Sequence, residues 1–159
     1  MSTLLTEEER NKNMDIAKEL QMGINLEAPS SHDMDRILGI VSERMNKITN
    51  FYVDASSNLA ITKTMVKAAE YGLERVSKGE CIKEDIMAAK SKDIREALIY
   101  SRSNSQRNAL LVAETEKIYA ETYYNNIKYI YENIKTAFDA IKTRSKLLSG
   151  EMYLAGRSS

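Results

Sequence analysis

The chain of 159 residues holds one proline, one cysteine, one histidine and no tryptophan. Each scarcity excludes something. A lone Cys81 forms no internal disulfide and no paired-cysteine zinc site. A lone His32 leaves no imidazole to act as base for Cys81 except itself. One proline and six glycines are few for a fold of many short strands and tight turns, and they favour long helices. No apolar run approaches the roughly 20 residues that span a bilayer. The N-terminus, MSTLLTEEERNKNMD, is acidic and lacks the apolar stretch of a signal peptide. These features predict a cytoplasmic protein.

Catalytic patterns are scarce too. There is no phosphate-cradling glycine loop and no HExxH. His32 stands beside Ser30, Ser31 and Asp33, which invites comparison with a triad. Those residues fall where a linker meets a helix, and a helix-start role explains them. Lys78 and Lys83 near Cys81 would favour its thiolate, but a plain, partly buried thiol is the simpler reading. The expectation is a protein that is not an enzyme, with no catalytic residue, cofactor or metal.

What the chain has is apolar patterning and paired charge. Apolar residues make up 43% and charged residues 29%, a globular composition. The formal net charge is zero, which argues against a dominant nucleic-acid field. The charge is unevenly spread: residues 1–35 hold eight acids and three bases, and residues 122–159 hold six bases and three acids.

Thr6 and Glu9 have capping-box spacing ahead of IAKELQM, which predicts a helix over about residues 6–22. GINLEAPSSHD, with the only proline, reads as a linker, and Ser31 as the cap of the next helix. The expected division is a short acidic helix with its linker (1–30) and a long helical hairpin (31–159). From Met34 the positions Leu38, Val41, Met45, Ile48, Tyr52, Ala55, Leu59, Thr62, Val66, Ala69, Leu73 and Val76 alternate in steps of 4 and 3. A 3.5-residue period keeps one seam on one side of a long helix. Gly79 reads as its stop. About 45 helical residues span roughly 65–70 Å, which calls for an equally long partner. A third segment is expected over 84–100, then a loop or bend at 101–108. A second long helix is expected from about Ser105 to Ser149. Its seam runs from Ala109 through Ala113, Glu116, Ala120, Tyr123, Ile127, Ile130, Ile134, Ala137, Ile141 and Arg144 to Leu148.

That second helix carries more apolar surface than one seam needs. Tyr124, Tyr131 and Phe138 recur every seven residues beside the isoleucines. The stripe either completes the core against the N-terminal helix or forms a subunit interface. The candidate oligomerisation residues are therefore Tyr124, Ile127, Tyr131, Ile134, Phe138 and Ile141. Lys128, Lys135 and Lys142 form a separate heptad row among acids, a solvated face.

The candidate anion-binding segment is KSKDIREALIYSRSNSQR (90–107). It sets Lys90, Lys92, Arg95, Arg102 and Arg107 against Asp93 and Glu96, with Tyr100 as a stacking surface. Weak sites of this kind add through effective concentration when several copies assemble.

The run AETEKIYAETYYNNIKYIYENIKTAFDAIKTR (113–144) and the ending MYLAG (152–156) resemble the UvsY family, recombination mediators of large tailed phages. The likeness covers about a third of the chain. It implies a ring-forming helical protein without catalytic activity. Such a protein binds single-stranded DNA, helps displace the single-strand-binding protein and loads the phage recombinase. A Lys-x-Arg pattern in the first long helix contacts DNA in that family. Here Lys67 matches the lysine, with Lys63 one turn before it, and Ala69 stands where the arginine would be. The segment from Arg144 to Gly156 is also about one turn short of the family pattern.

The fold class expected is all-α: two long antiparallel heptad-patterned helices with shorter flanking helices, coiled-coil-like and assembling into a ring. The function expected is a non-enzymatic recombination accessory protein acting on single-stranded DNA. The alternative is a helical structural or adaptor protein, such as a virion component or chaperone, with no nucleic-acid role.

Overall fold

The computed structural model describes residues 4–22 and 31–157, with the side chains of 31, 32, 152 and 155–157 left aside. Every regular element among them is a helix: α1 (Glu7–Gln21), α2 (Ser31–Cys81), α3 (Glu84–Met87), α4 (Lys92–Arg102) and α5 (Asn104–Arg157). No described helix is long and apolar enough to cross a membrane. The expected linker over 23–30 lies outside the described residues.

The start of α1 follows its sequence signal. The Thr6 side chain accepts from the Glu9 amide at 3.2 Å, and the Glu9 carboxylate accepts from the Thr6 amide at 2.8 Å. The hydrogen bonds that this carboxylate accepts from the Thr6 amide and hydroxyl hold it below its ordinary pKa, the backbone bond contributing most.

The α2 seam is kept along its whole length. Met34, Val41, Ile48, Ala55, Leu59, Thr62 and Val66 are buried, and the other seam members are at least half-covered. Thr62, the polar member, turns its hydroxyl onto the Leu59 carbonyl at 3.0 Å and so needs no outside partner. Gly79 does not end this helix, which runs on to Cys81. One glycine costs a helix only about 1 kcal/mol. For the same reason α5 passes through Gly150 to Arg157. The α5 seam drifts at both ends: Ala109 and Arg144 are exposed, while Ser145 and Leu148 are half-covered.

The middle region is broken where one helix was expected. Residues 88–91 interrupt it, and the Ser91 hydroxyl caps α4 by accepting from the Ile94 amide at 3.2 Å. The bend at 101–108 shrinks to one residue. Ser103 is fully buried and donates its hydroxyl to the Ile99 carbonyl at 2.8 Å, and α5 starts at once.

The chain divides into two compact units. Of the described residues, the first comprises 57–122 with Leu4, and the second comprises 5–22, 31–56 and 123–157. In the second unit α1 lies on α2 and α5, and Ala17, Ile48, Ala55, Tyr123, Ile127, Ile130 and Ile134 form one cluster. A smaller cluster joins Met34, Val41 and Ile141, with Phe138 and Leu148 against it. Arg44 ties down the end of α1, donating from Nη1 to the carbonyls of Leu20 (3.2 Å) and Met22 (2.6 Å). Those carbonyls have no partner within the helix, so the guanidinium supplies what the helix end lacks.

In the first unit the buried apolar residues are fewer and smaller: Leu59, Val66, Ile86, Ala113 and Ala120. Arg102 closes the corner between α2, α3 and α4 by bonding Glu80 (3.3 Å) and Asp85.

A lysine-lined depression as the candidate nucleic-acid interface

Residues four apart lie on one flank of a helix, so Lys63 and Lys67 project together from α2. Lys117 of α5 joins them. The three lysines, with Val66 and Glu70, line an open depression of about 290 Å³ in the first unit. None of the three forms an ion pair among the described residues. Three ammonium groups over an apolar floor, with one carboxylate beside them, make a local positive patch. Glu114 and Glu121 stand one turn to either side of Lys117 on the same flank. These two carboxylates offset the excess of two positive charges in the lining itself.

Lys63 and Lys67 were singled out by the sequence; Lys117 was not. It lies outside the seam and outside any basic run, and only the pairing of α5 with α2 brings it to the other two. Its lone position between two glutamates hid the signal.

The 90–107 segment fares differently. Its five cations do not converge. Lys90 stands in the break before α4, and Lys92 makes an exposed pair with Glu96 at 3.6 Å. Arg95 donates from Nε to the Ala89 carbonyl at 3.1 Å. Arg102 is occupied by Glu80 and Asp85. The Asp85 hydrogen bond, then that of Glu80, raises its pKa. Asp85 is correspondingly held below the ordinary carboxylate range by Arg102, and Glu80 first by Lys83 and then by Arg102. Arg107 bonds the Ser103 hydroxyl at 3.2 Å and lies 4.0 Å over the Tyr100 ring, which takes one face of the expected stacking platform. Residues 80–107 together hold six bases and five acids, so the basic excess of 90–107 is largely cancelled by what folds against it.

The expected oligomerisation residues sit in the core of the second unit. Ile127, Ile134 and Ile141 have 0–2% of their surface exposed. A covered side chain offers nothing to a second copy. Tyr124, Tyr131 and Phe138 are half-covered. Tyr131 stacks on Tyr52 with centroids 4.8 Å apart, and the hydroxyls of Tyr124 and Tyr52 are 3.1 Å apart. Of the two sequence readings of this stripe, the geometry is that of a core.

Cys81 is exposed, not partly buried as expected. No group of three or more His, Cys, Asp or Glu residues that could hold a metal occurs among the described residues.

No protein-family model, curated protein or solved structure matches this chain.

Proposed function

We propose that the protein is a non-enzymatic accessory factor of recombination that binds single-stranded DNA and helps load a phage recombinase in place of the single-strand-binding protein. The UvsY-like segments at 113–144 and 152–156 suggest this role, with ring assembly as part of it. The observation that carries it is the depression shared by Lys63, Lys67 and Lys117. Its cations contact the phosphate backbone without reading sequence. One small patch binds weakly, and repetition over several copies makes the binding useful.

Fluorescence anisotropy with a single-stranded oligonucleotide tests the reading. Binding is expected at about 50 mM salt, weakening as salt rises. Replacing Lys63, Lys67 and Lys117 together by Glu is expected to abolish it. Replacing them singly should lower the slope of log K on log salt by about 0.7 each. Absence of any binding at low salt sinks the proposal.

A second reading, a helical structural or adaptor protein without nucleic acid, is favoured by one observation. Val112, Ile118, Tyr119 and Leu111 of α5 are each more than half exposed. On that reading the triple lysine variant changes solubility and nothing else.

A further inference from the structure

The first unit has a second flank. At 100° per residue, Ile61, Met65 and Ala68 lie on the side of α2 away from Lys63 and Lys67. Val112 and Tyr119 likewise lie on the side of α5 away from Glu114 and Glu121. In an antiparallel pair, with Lys117 on the Lys63 and Lys67 side, these two sets fall on the same face, opposite the depression. The α2 half of this face is hollow. Ala60, Ile61, Thr64, Met65 and Ala68 line an open recess of about 390 Å³, almost wholly apolar in character. The α5 half projects, with Val112 62% and Tyr119 55% exposed. Hollow and projection stand at the same level. Lys117 shares its depression with Val66, so two residues further along α5 Tyr119 stands level with Thr64, the middle of the recess.

We infer that this face binds a second copy of the chain, Tyr119 of each copy seating in the Ala60–Ala68 recess of the other. A two-fold axis along the helices sets α5 of one copy over α2 of its partner and preserves level, so projection meets hollow twice. The result is a four-helix layer in which every long helix has apolar neighbours. None of the residues named on the face is charged, so two identical copies meet without like-charge repulsion. The face is about 22 Å long over fifteen residues of each helix and about 20 Å wide. That is within a factor of two of the roughly 800 Å² per partner that a stable dimer covers. Such a pair is closed, and a ring would need a further contact elsewhere.

The inference stands whether or not the lysine flank takes DNA. Light scattering on the eluting full-length chain tests it. The wild type is expected at an even multiple of 18.0 kDa. Tyr119→Glu should halve that mass while far-ultraviolet circular dichroism stays unchanged, since the side chain is already more than half exposed. Thr64→Lys should do the same. Combining the two places opposite charges across the contact and should restore the mass. A monomeric wild type, a Tyr119→Glu chain of wild-type mass, or a double variant that stays dissociated overturns the pairing. Lys117→Glu should keep the mass and weaken oligonucleotide binding. If no variant binds DNA but the masses behave as stated, only the functional reading fails.

Discussion

Val112 and Ile130 are eighteen residues apart on α5, five full turns, and so occupy the same angular position. Ile130 is 5% exposed and Val112 is 62% exposed. Nothing in the two side chains accounts for the difference. Ile130 is a member of the α5 seam in the cluster to which α1 contributes Ala17, whereas Val112 stands off the seam in the other unit. Off the seam, Tyr124 and Tyr131 are half-covered beside the cluster that α1 joins, whereas Val112 and Tyr119 are more than half exposed. What the heptads specify is the seam. What surrounds the seam depends on short elements, or on other chains.

Breaking the better-covered unit should have the largest effect. Ile134→Ala removes a fully buried side chain from the α1–α2–α5 cluster and should cost about 2–5 kcal/mol, read as a lower midpoint in urea. An equal cost for Val112→Ala in the monomeric Tyr119→Glu background would erase the contrast between the units. Uncapping α1 comes next. Thr6→Ala leaves the Glu9 amide without its acceptor and should cost about 0.5–2 kcal/mol. Hydrogen exchange should then quicken at Ile130 before it quickens at Val66. Uniform acceleration would mean that α1 is not the cover it appears in the Ala17 cluster.

The smallest effect is acidification. Asp85 and Glu80 have folded pKa values below those of the unfolded chain. Their contribution is thus present above about pH 4–5 and is lost as pH falls through the lowered folded values. Asp85 is exposed and Glu80 largely covered, and a slight loosening of the α3–α4 corner is expected in amide exchange, smaller in Arg102→Gln, where Lys83 still holds Glu80. A pH response of undiminished size in Arg102→Gln would assign it to other carboxylates.

The long-range period of α2 was legible because every member of its seam from Met34 to Val76 serves one purpose, and even Thr62 satisfies its hydroxyl locally. The α1 cap was legible because both partners lie within four residues. The break before α4 was not. Its signal is a single Ser91 cap inside a run whose composition suits a helix. The candidate site was half legible. Lys63 and Lys67 share a helix and a turn, whereas Lys117 reaches them only through tertiary pairing. The 90–107 segment misled for the complementary reason. Its cations are counted locally, but Arg102 is neutralised by Glu80 and Asp85, which lie outside the segment.

The aromatic cluster of the second unit has an optical consequence. The chain has no tryptophan, nine tyrosines and two phenylalanines, so the long-wavelength part of its near-ultraviolet signal belongs to tyrosine. Tyr52 keeps its proton to higher pH than an ordinary phenol, chiefly because its hydroxyl is bonded to Tyr124. Tyr123 does so because it is buried. The late phase of phenolate absorbance in an alkaline titration therefore comes from the second unit, a built-in chromophore that follows the packing of α1, α2 and α5 without any label.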